Sequence, residues 1–282
     1  MASYRKMGNS EVLIKVALKA AEREGAETEL IRLTDLEIRP CKGCMACIFR
    51  GERCAIDDDM PGLIDAIVET DGLLVAAPTY VLGPPGIIKM ALDRLIELMH
   101  PGKLKALGSK RRASGILAVA TDPEGWAPFT LPFLKLFCYV CMAPPVDWAI
   151  FRASGPGEIA LDREALERAR KIGSNVVRAL RGEEVQRPRV PKTSCPVCGG
   201  KLFVLEGDTS VSCPLCGIRG RLVFSKDQLE LSFGPDALRK ARWILEEALE
   251  HVMKAVIPTG EKYKQLLPEI KKALRELAAE VS

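Results

Sequence analysis

Four cysteines in the first fifth of the chain have a spacing that could hold an inorganic cluster. They follow a C-x2-C-x2-C-x6-C pattern and are Cys41, Cys44, Cys47 and Cys54. Three thiolates three residues apart, with a fourth after a glycine-containing loop, converge only if the backbone wraps around a small core, which favours a [4Fe–4S] cluster with one cysteine per iron. A zinc site usually takes its thiolates from two well-separated C-x2-C pairs, so zinc is the second interpretation and structural or disulfide-bonded cysteines the third.

A second set of four cysteines near the C-terminus forms two C-x2-C pairs, each followed by glycine: Cys195, Cys198, Cys213 and Cys216. Residues 201–205 and 209–212 could form a hairpin between the pairs. The arrangement is similar to zinc ribbons, in which four cysteines hold a structural zinc ion. Iron, as in rubredoxins, is the alternative and would add a third redox centre. A module this small needs its metal in order to fold.

The last two cysteines, Cys138 and Cys141, lie three residues apart in an apolar stretch predicted to be helical over 127–142. We expect buried free thiols. A redox dithiol is the alternative, although neither a helix start nor basic neighbours are present to lower a thiol pKa.

Composition limits the class of protein. With 282 residues, 48% of them hydrophobic, the chain can bury one α/β core and a smaller module. No apolar run is long enough to span a bilayer, no signal-peptide pattern is present, and the grouped cysteines indicate metal ligands, so we expect a cytoplasmic protein. A net charge of +4 suits an acidic electron carrier as partner but is too weak by itself to indicate nucleic-acid binding. The 28% charged residues, with little Gln and Asn, are typical of a thermophile.

The elements that must position these residues alternate between strand and helix. We predict a strand over 28–33, a helix over 59–68, a buried strand over 72–78, a helix over 87–99 and strands over 116–121 and 145–151, followed by a helix over 163–180. This order indicates a doubly wound parallel sheet, in which ligands bind at the carboxyl ends of the strands.

Two loops at that edge have the composition of a ligand site. Ser3, Arg5, Asn9 and Ser10 precede or begin a helix and could together bind a phosphate dianion; the alternative is that Asn9 or Ser10 caps the helix and Arg5 is solvated. After the apolar strand, Pro78, Thr79, Tyr80 and Gly83 form a rigid loop that could support the edge and plane of a flat ring. The alternative there is a proline-rich turn, with Lys89 and Asp93 as a surface ion pair.

Together these stretches resemble the iron–sulfur flavoproteins of the flavodoxin-like NAD(P)H-dependent FMN reductase superfamily. The matching motifs are Ser-x-Arg-x-x-x-Asn-Ser, the four-cysteine loop and Pro-Thr-Tyr…Gly-Pro-Pro-Gly-x-x-Lys-x-x-x-Asp-Arg, within residues 2 to about 181. The resemblance implies FMN at the strand edge, its phosphate in the 3–10 loop and its ring against 78–86. It also implies a neighbouring [4Fe–4S] cluster that passes single electrons, and oligomers that pair flavin and cluster across subunits.

The sequence departs from the family pattern in two places. The fold begins with a central strand before the phosphate loop, for which this sequence has no room, so we expect either that translation starts upstream of Met1 or that the sheet has an unfilled central position. The loop after the strand ending at Thr121 reads Asp-Pro-Glu-Gly-Trp, where relatives are richer in glycine. Trp126 could stack on the flavin or pack in its own loop, and its presence puts direct hydride delivery from NAD(P)H in doubt.

The domain organisation follows from these assignments. We predict a flavodoxin-like FMN and iron–sulfur domain over 1–182, a charged linker over 183–192, a zinc ribbon over 193–224 and a helical segment over 225–282. In the last segment, apolar residues at helical spacing over 238–252 and 266–277 are expected to pack on the ribbon or on a second subunit.

Three functions remain open at this point. The first is a cluster-plus-flavin oxidoreductase that takes electrons from a ferredoxin-like donor, or from NAD(P)H, and passes them to a small acceptor such as oxygen species or a quinone. The second is an NAD(P)H-dependent flavin or quinone reductase in which the cysteines at 41–54 are structural. The third is a zinc-ribbon adaptor for nucleic acid or protein, against which the absence of a dense basic and aromatic face around 195–224 argues.

Overall fold

The computed structural model describes residues 1–225 and 228–281. The first part of the chain contains α1 (Asn9–Arg23), α2 (Ala46–Phe49), α3 (Met60–Glu69), β1 (Gly72–Pro78), α4 (Gly86–Arg94), α5 (Pro101–Gly108), β2 (Ala113–Ala120), α6 (Thr130–Val140), β3 (Pro145–Arg152) and α7 (Arg163–Leu180). The second part contains β4 (Val204–Leu205), β5 (Ser210–Ser212), β6 (Arg219–Ser225), β7 (Gln228–Ser232), α8 (Pro235–Arg239), α9 (Leu245–His251) and α10 (Ile257–Val281).

A parallel sheet forms the centre of the first part. Strands β1, β2 and β3 pair side by side in that order, with Gly72 opposite Ala113 and Pro78 opposite Val119. All eight residues of β2 are buried because helices cover both faces of the sheet, α1 and α7 on one side and α4 and α6 on the other. A strand buried on both faces must be continuously apolar. The doubly wound architecture predicted from the alternation of elements is confirmed, and so is the flavodoxin-like fold that the family resemblance implied.

The beginning of the chain enters this sheet beside β1. The N–H of Ala2 donates to the Ala76 carbonyl (2.9 Å), the Met1 nitrogen donates to the Ile31 carbonyl (2.9 Å), and the Leu33 N–H donates to the Met1 carbonyl (2.9 Å). Of the described residues, only Met1 and Ala2 lie between β1 and residues 28–33. Residues 28–32 therefore lack the ladder of hydrogen bonds that would make them a strand, and a 3-10 turn, Leu33–Asp35, follows. The predicted strand at 28–33 is wrong in this respect. A cavity of about 580 Å³ lies between β1 and residues 28–31.

The second part contains an antiparallel sheet in the order β4-β5-β6-β7. The predicted hairpin is present, because Val204 pairs with Ser212 and Leu205 with Val211. The predicted module boundary at residue 224 falls inside β6, and the sheet continues to Ser232 through β7. Residues 183–192, the predicted linker, form neither helix nor strand.

Several helices differ from their predicted limits. Helix α4 ends at Arg94 and continues as a 3-10 turn, Leu95–Met99, and α6 is shorter than the predicted 127–142. The stripe predicted as one helix over 238–252 is divided between α8 and α9. The segment between these helices binds the module that carries Cys195, Cys198, Cys213 and Cys216, called the cysteine module below. The Arg242 N–H donates to the Cys216 carbonyl (2.8 Å), and Trp243 Nε1 donates to the Leu215 carbonyl (2.7 Å). Within the described residues, no helix combines the length and apolarity that crossing a membrane requires.

Candidate flavin and metal sites

Four loops meet at the carboxyl edge of the sheet. They follow Ala2, β1, β2 and β3, whose ends lie together because the strands are parallel. In doubly wound sheets this edge is where ligands bind. The structure thus brings together the predicted phosphate loop, the 78–86 loop, and the Thr121 and Trp126 segment.

The predicted phosphate loop is held in a compact turn. Ser3 is buried, and its Oγ accepts a hydrogen bond from the Arg5 N–H (3.3 Å). Arg5 is exposed, and none of the described residues accepts a hydrogen bond from its guanidinium. Ser10 is buried in the first turn of α1. A free guanidinium beside a helix N-terminus is the arrangement expected for a phosphate dianion.

A buried carboxylate beside this loop was not anticipated. Glu11 Oε2 accepts from the Met7 N–H (2.7 Å) and from Arg32 Nη1 (2.5 Å), and Oε1 pairs with Lys15 (2.7 Å). Burial raises the pKa of Glu11, but hydrogen bonds from Lys15, Met7 and Arg32 outweigh it and lower the pKa to about 2. Glu11 is therefore ionised, and the positive charges of Lys15 and Arg32 balance it.

Asn9 has a different role from either prediction. Its Nδ2 donates to the Gly155 carbonyl (2.8 Å) and its Oδ1 accepts from the Ile159 N–H (3.1 Å). The N-cap position of α1 is Gly8, and no side chain caps the helix, so the capping alternative is wrong. The nitrogen and the oxygen of the Asn9 side-chain amide thus both join the phosphate loop to the loop after β3. Ser3, Arg5 and Ser10 remain as the side chains available to a phosphate.

The 78–86 loop is rigid and strained at its tip. Tyr80 and Gly83 exchange two backbone hydrogen bonds (2.6 and 3.1 Å), and the two residues between them have positive φ angles, 40° at Val81 and 69° at Leu82. Such angles are unfavourable for branched residues and persist only where the surroundings enforce them, often at ligand sites. Val81 is 95% exposed. The loop presents an apolar surface at a fixed height above the strand edge.

Helix α6 supports this loop from behind. Thr79 Oγ1 and Thr130 Oγ1 are 2.8 Å apart, and the Phe129 N–H donates to the Leu82 carbonyl (3.0 Å). Thr130 is fully buried at the first residue of α6.

The exposed pair Lys89 and Asp93 forms the predicted i,i+4 surface ion pair.

The third loop carries Thr121 and Trp126 beside the same edge. Arg152 Nη1 donates to the Thr121 carbonyl (3.1 Å), and the Trp126 N–H donates to the Asp122 carbonyl (3.0 Å). The Trp126 side chain is 67% exposed, so packing inside its own loop does not account for it. It is available to cover a bound ring.

The first cysteine loop has the backbone shape that wrapping requires. Gly43, Met45 and Gly51 have positive φ angles of 65°, 58° and 70°. The Gly43 N–H already donates to Cys41 Sγ at 3.4 Å, and N–H groups directed at cluster sulfurs tune iron–sulfur centres. Met45 is the N-cap of the short helix α2, which carries Cys47.

The four thiols of this loop do not converge in the structure. Burial raises the pKa of Cys47, and the charges of Glu97, Cys54, Cys44 and Cys41 raise it further. Among the described residues, no three of these four sulfurs lie within 4.8 Å of one another. The convergence of the four cysteines on one inorganic core therefore stays a prediction.

A buried ion pair closes the base of this loop. Arg94 donates to Asp58 through Nη1 (2.6 Å) and Nη2 (3.1 Å), and the two side chains are 1% and 0% exposed. Asp58 also accepts from the N–H of Arg39 (2.9 Å), and Arg94 donates to the Arg39 carbonyl (2.9 Å). The pair therefore fixes the chain just before the first cysteine and just after the last.

Glu97 adds a second contact to the loop. Its Oε2 accepts from the Cys54 N–H at 3.0 Å, and its other oxygen pairs with Lys103. Glu97 is 3% exposed. At this position the negative charge of Glu97 would lower the reduction potential of a cluster held by the loop.

The second cysteine set does converge. The sulfurs of Cys195, Cys198, Cys213 and Cys216 are buried and all lie within 4.8 Å of one another. The two pairs are related by matching turns: Gly199 donates to the Cys195 carbonyl and Gly217 to the Cys213 carbonyl, both at 2.8 Å, with φ angles of 63° and 75° at the two glycines. Side-chain hydrogen bonds with Cys195, Cys198 and Cys213 raise the pKa of Cys216. Four thiols this close can all ionise only around a cation, so the donor set fits a tetrahedral metal ion.

The cysteine module is docked on α6 through its metal-binding turns. Lys135 is 2% exposed, donates to the Cys198 carbonyl and lies over the Trp148 ring, 3.6 Å from its centroid. Tyr139 stacks on Trp243 with centroids 5.9 Å apart. The helix that supports the 78–86 loop at one end thus contacts the cysteine module at the other.

Cys138 and Cys141 are fully buried in the core, as the buried-thiol prediction requires. Burial raises the pKa of Cys138 to about 12 and raises that of Cys141 as well. A thiol that does not ionise is a poor redox nucleophile, so the dithiol alternative has no support here.

Sequence reasoning missed Glu11, Asp58, Glu97 and Lys135. Each is a charged residue, and charged side chains are ordinarily solvated. The one available signal was the Asp-Arg dipeptide at 93–94, whose arginine is buried against Asp58 while its aspartate is on the surface.

Comparison with known proteins agrees with this geometry. Residues 1–122 match the family model described as NADPH-dependent FMN reductase. An iron–sulfur flavoprotein of Archaeoglobus fulgidus is 30% identical over 188 residues, covering 67% of this chain and 81% of that protein. A flavone synthase of Aspergillus candidus is 27% identical over 245 residues, covering 78% and 76% of the two chains. A solved flavone reductase superposes with a TM-score of 0.78 over 99% of this chain and 95% of that one at 21% identity, which confirms the fold.

FMN is the cofactor that this family binds, and flavin-dependent oxidation and reduction is its chemistry. The chain therefore belongs to the iron–sulfur flavoproteins of the NAD(P)H-dependent FMN reductase superfamily.

Proposed function

We propose that the protein passes electrons between a one-electron donor, a [4Fe–4S] cluster held by Cys41, Cys44, Cys47 and Cys54, and FMN, and from FMN to a small acceptor. The observation that carries the proposal is the position of the cysteine loop. Residues 28–33 run parallel to Met1 and Ala2, so the loop that follows them leaves from the same sheet edge as the FMN loops. Cluster and flavin would then be neighbours.

A cluster supplies single electrons and a flavin exchanges one or two, so the pair connects one-electron carriers with two-electron substrates. In this arrangement the residues of the chain bind and orient. Ser3, Arg5 and Ser10 hold the phosphate, while Pro78, Thr79, Tyr80 and Gly83 support one side of the ring. Thr121 and Trp126 border the other side. None of them has to donate or accept a proton in the electron transfer.

We propose a ferredoxin-like donor, since ferredoxins are commonly acidic and this chain has a net charge of +4. NAD(P)H is the alternative donor, and the exposed Trp126 at the ring site disfavours it because a stacked indole would occupy the face that a nicotinamide needs. We further propose a cytoplasmic homo-oligomer, in which the exposed apolar side chains of the flavin edge, Tyr80, Val81, Trp126 and Phe129, are covered by a second subunit.

For the C-terminal cysteines we propose structural zinc rather than iron. The four sulfurs are buried with no open position for a substrate, which is typical of structural zinc. Metal analysis of the purified protein tests this: one zinc per chain is expected, and one extra iron per chain with a rubredoxin-like spectrum would contradict it.

An anaerobic absorption spectrum before and after dithionite tests the leading function. A resolved flavin band on a broad brown shoulder is expected, with both features bleaching on reduction. Cys47→Ser should remove or degrade the cluster while FMN stays bound. Cys138→Ala, at a buried cysteine that belongs to neither set of four, serves as the matched control that keeps its iron. If Cys47→Ser retains full iron and one-electron reduction by ferredoxin, the ligand assignment is wrong.

A second candidate concerns the acceptor. The likeness to the flavone synthase covers 245 residues and so extends beyond the FMN domain into the cysteine module. A flat, conjugated aromatic ketone would suit the apolar 78–86 loop and the exposed Trp126. Anaerobic reoxidation of the reduced protein by a flavone and by a simple benzoquinone separates the two classes of acceptor.

A further inference from the structure

Lys135, in the middle of α6, is buried where the cysteine module meets the flavin domain. It is 2% exposed, and its Nζ donates to the Cys198 carbonyl and lies 3.6 Å from the centroid of the Trp148 ring. Trp148 also contacts the module, because a Cβ placed on Gly199 would lie 2.7 Å from its Cζ2 atom. The ammonium group is therefore enclosed between α6, β3 and the turn that carries Cys195 and Cys198.

No anionic side chain accounts for this buried cation. An opposite charge partners each of four other buried charged side chains, which are Glu11, Arg94, Glu97 and Asp147. Arg112 donates to the carbonyls of Ile67 and Thr70 at the C-terminal end of α3, where the helix dipole suits a cation. Within residues 1–225 and 228–281, Lys135 forms no ion pair with a carboxylate. A neutral carbonyl and a ring face offset only part of the cost of burying an ammonium group.

The four-cysteine site can supply the missing negative charge. Its sulfurs all lie within 4.8 Å of one another, and the carbonyl that Lys135 contacts belongs to one of the four cysteines. Thiols release their protons when they bind a metal ion, so four thiolates around a divalent ion carry two negative charges in excess. Without a metal the thiols are neutral, and the ammonium group has only the carbonyl and the ring.

We propose that Lys135 belongs to this metal site: its ammonium group is the counter-charge of the thiolates and their ion, and the cysteine module stays docked on α6 only while the metal is bound. The proposal rests on the metal ion proposed above for the four cysteines. Loss of the metal leaves the ammonium group buried without an anion, and removing one partner of a buried pair is strongly destabilising. Because the module itself covers Lys135, its nitrogen reaches water only if the module moves off α6.

This role differs from that of an ordinary hydrogen-bond donor. A neutral donor at position 135 would satisfy the Cys198 carbonyl but would leave the thiolates without a counter-charge. Lys135 is therefore a positioning residue, not a ligand, and its contribution is its charge. Variants that keep the donor but remove the charge separate the two roles.

Amine labelling of the wild-type chain tests the docking. Acetic anhydride is added before and after the metal is removed with a strong zinc chelator, and each lysine is quantified by mass spectrometry. Lys135 should be labelled at least about 10-fold more slowly while the metal is bound, because a buried group reacts only when the structure around it opens. Lys201, an exposed lysine of the same module, should be labelled equally in both states.

Zinc affinity of the full chain, measured by competition with a chromogenic chelator, tests the charge. Lys135→Gln and Lys135→Met should each bind zinc about 10- to 100-fold more weakly, the usual effect of losing a group that supports metal ligands. Lys135→Arg keeps the charge and should stay close to the wild type, as should the control Lys201→Met. The absorption spectrum of the bound flavin shows for each variant that the flavin domain is folded.

Two results would overturn the proposal. If Lys135 stays protected after the metal is removed, docking does not depend on the metal. If Lys135→Gln binds zinc as tightly as the wild type, the hydrogen bond to Cys198 suffices and no counter-charge is needed. A wild-type chain that binds no zinc at the four cysteines would contradict the structural-zinc proposal as well, whereas the first two results leave that proposal intact.

Discussion

Asp58→Asn is the substitution from which we expect the largest effect on the cluster site. Asp58 and Arg94 are the most deeply buried ion pair described above, and Asp58 also accepts hydrogen bonds from the N–H groups of Arg39 and Met60. Asparagine keeps the size of the side chain but leaves the Arg94 guanidinium buried without a counter-charge. Removing one partner of a buried pair typically costs about 3–5 kcal/mol.

That cost is a large part of the stability of an ordinary domain, about 5–15 kcal/mol. It also falls at the point where the cysteine loop begins and ends, because Arg94 and Asp58 together hold Arg39. We therefore expect Asp58→Asn to lower the free energy of unfolding by roughly 3–5 kcal/mol and to reduce the iron bound per chain. Urea unfolding and iron analysis measure the two effects.

A control from the same helix separates this effect from a general loss of charge. Asp93→Asn removes an ion pair with Lys89 whose side chains are 45–55% exposed, and such pairs contribute at most about 0.5 kcal/mol. The double variant Arg94→Met/Asp58→Leu removes both buried charges, so it should recover much of the stability, but it cannot restore the hydrogen bonds to Arg39. If Asp58→Asn costs less than about 1 kcal/mol and keeps its full iron, the pair does not close the loop as described.

The acid dependence of the pair has a definite sign. Although burial raises the pKa of Asp58, hydrogen bonds from Arg94, Arg39 and Met60 lower it overall. A carboxyl whose pKa is lower in the folded state stabilises the protein above its unfolded pKa and loses that contribution as the pH falls. The wild-type chain should therefore keep this contribution at neutral pH and lose it only in acid, whereas Asp58→Asn should lack that part of the acid dependence.

Two further predictions concern other parts of the chain. Glu97→Gln should raise the reduction potential of the cluster by tens of millivolts up to roughly 100 mV, because it removes a negative charge that Lys103 only partly offsets. Potentiometric titration would contradict this if the potential fell or stayed constant. Cys213→Ser should abolish one metal ion per chain and open residues 183–232 to protease while leaving the flavin spectrum unchanged. An unchanged metal content would exclude the C-terminal site.

The sequence alone was sufficient for the parts of the protein that depend on local spacing. Two C-x2-C pairs bring four sulfurs together with only a tight glycine turn at each, as Gly199 and Gly217 show. The buried strands β1 and β2 were readable because a strand covered on both faces must be continuously apolar. The edge at which the loops meet followed from parallel topology.

Only the tertiary structure decided which charges and loops support one another. Arg94 and Asp58 are 36 residues apart, Asn9 joins a loop about 150 residues away, and Lys135 contacts Cys198 across 63 residues. In sequence each of these residues occupies a position that is normally solvated, because burial of a charge depends on how helices and loops are placed over the sheet. Residues 28–33 show the same limit: their composition indicates a strand, but a strand forms only where neighbouring backbone completes the ladder, and here that neighbour is two residues long.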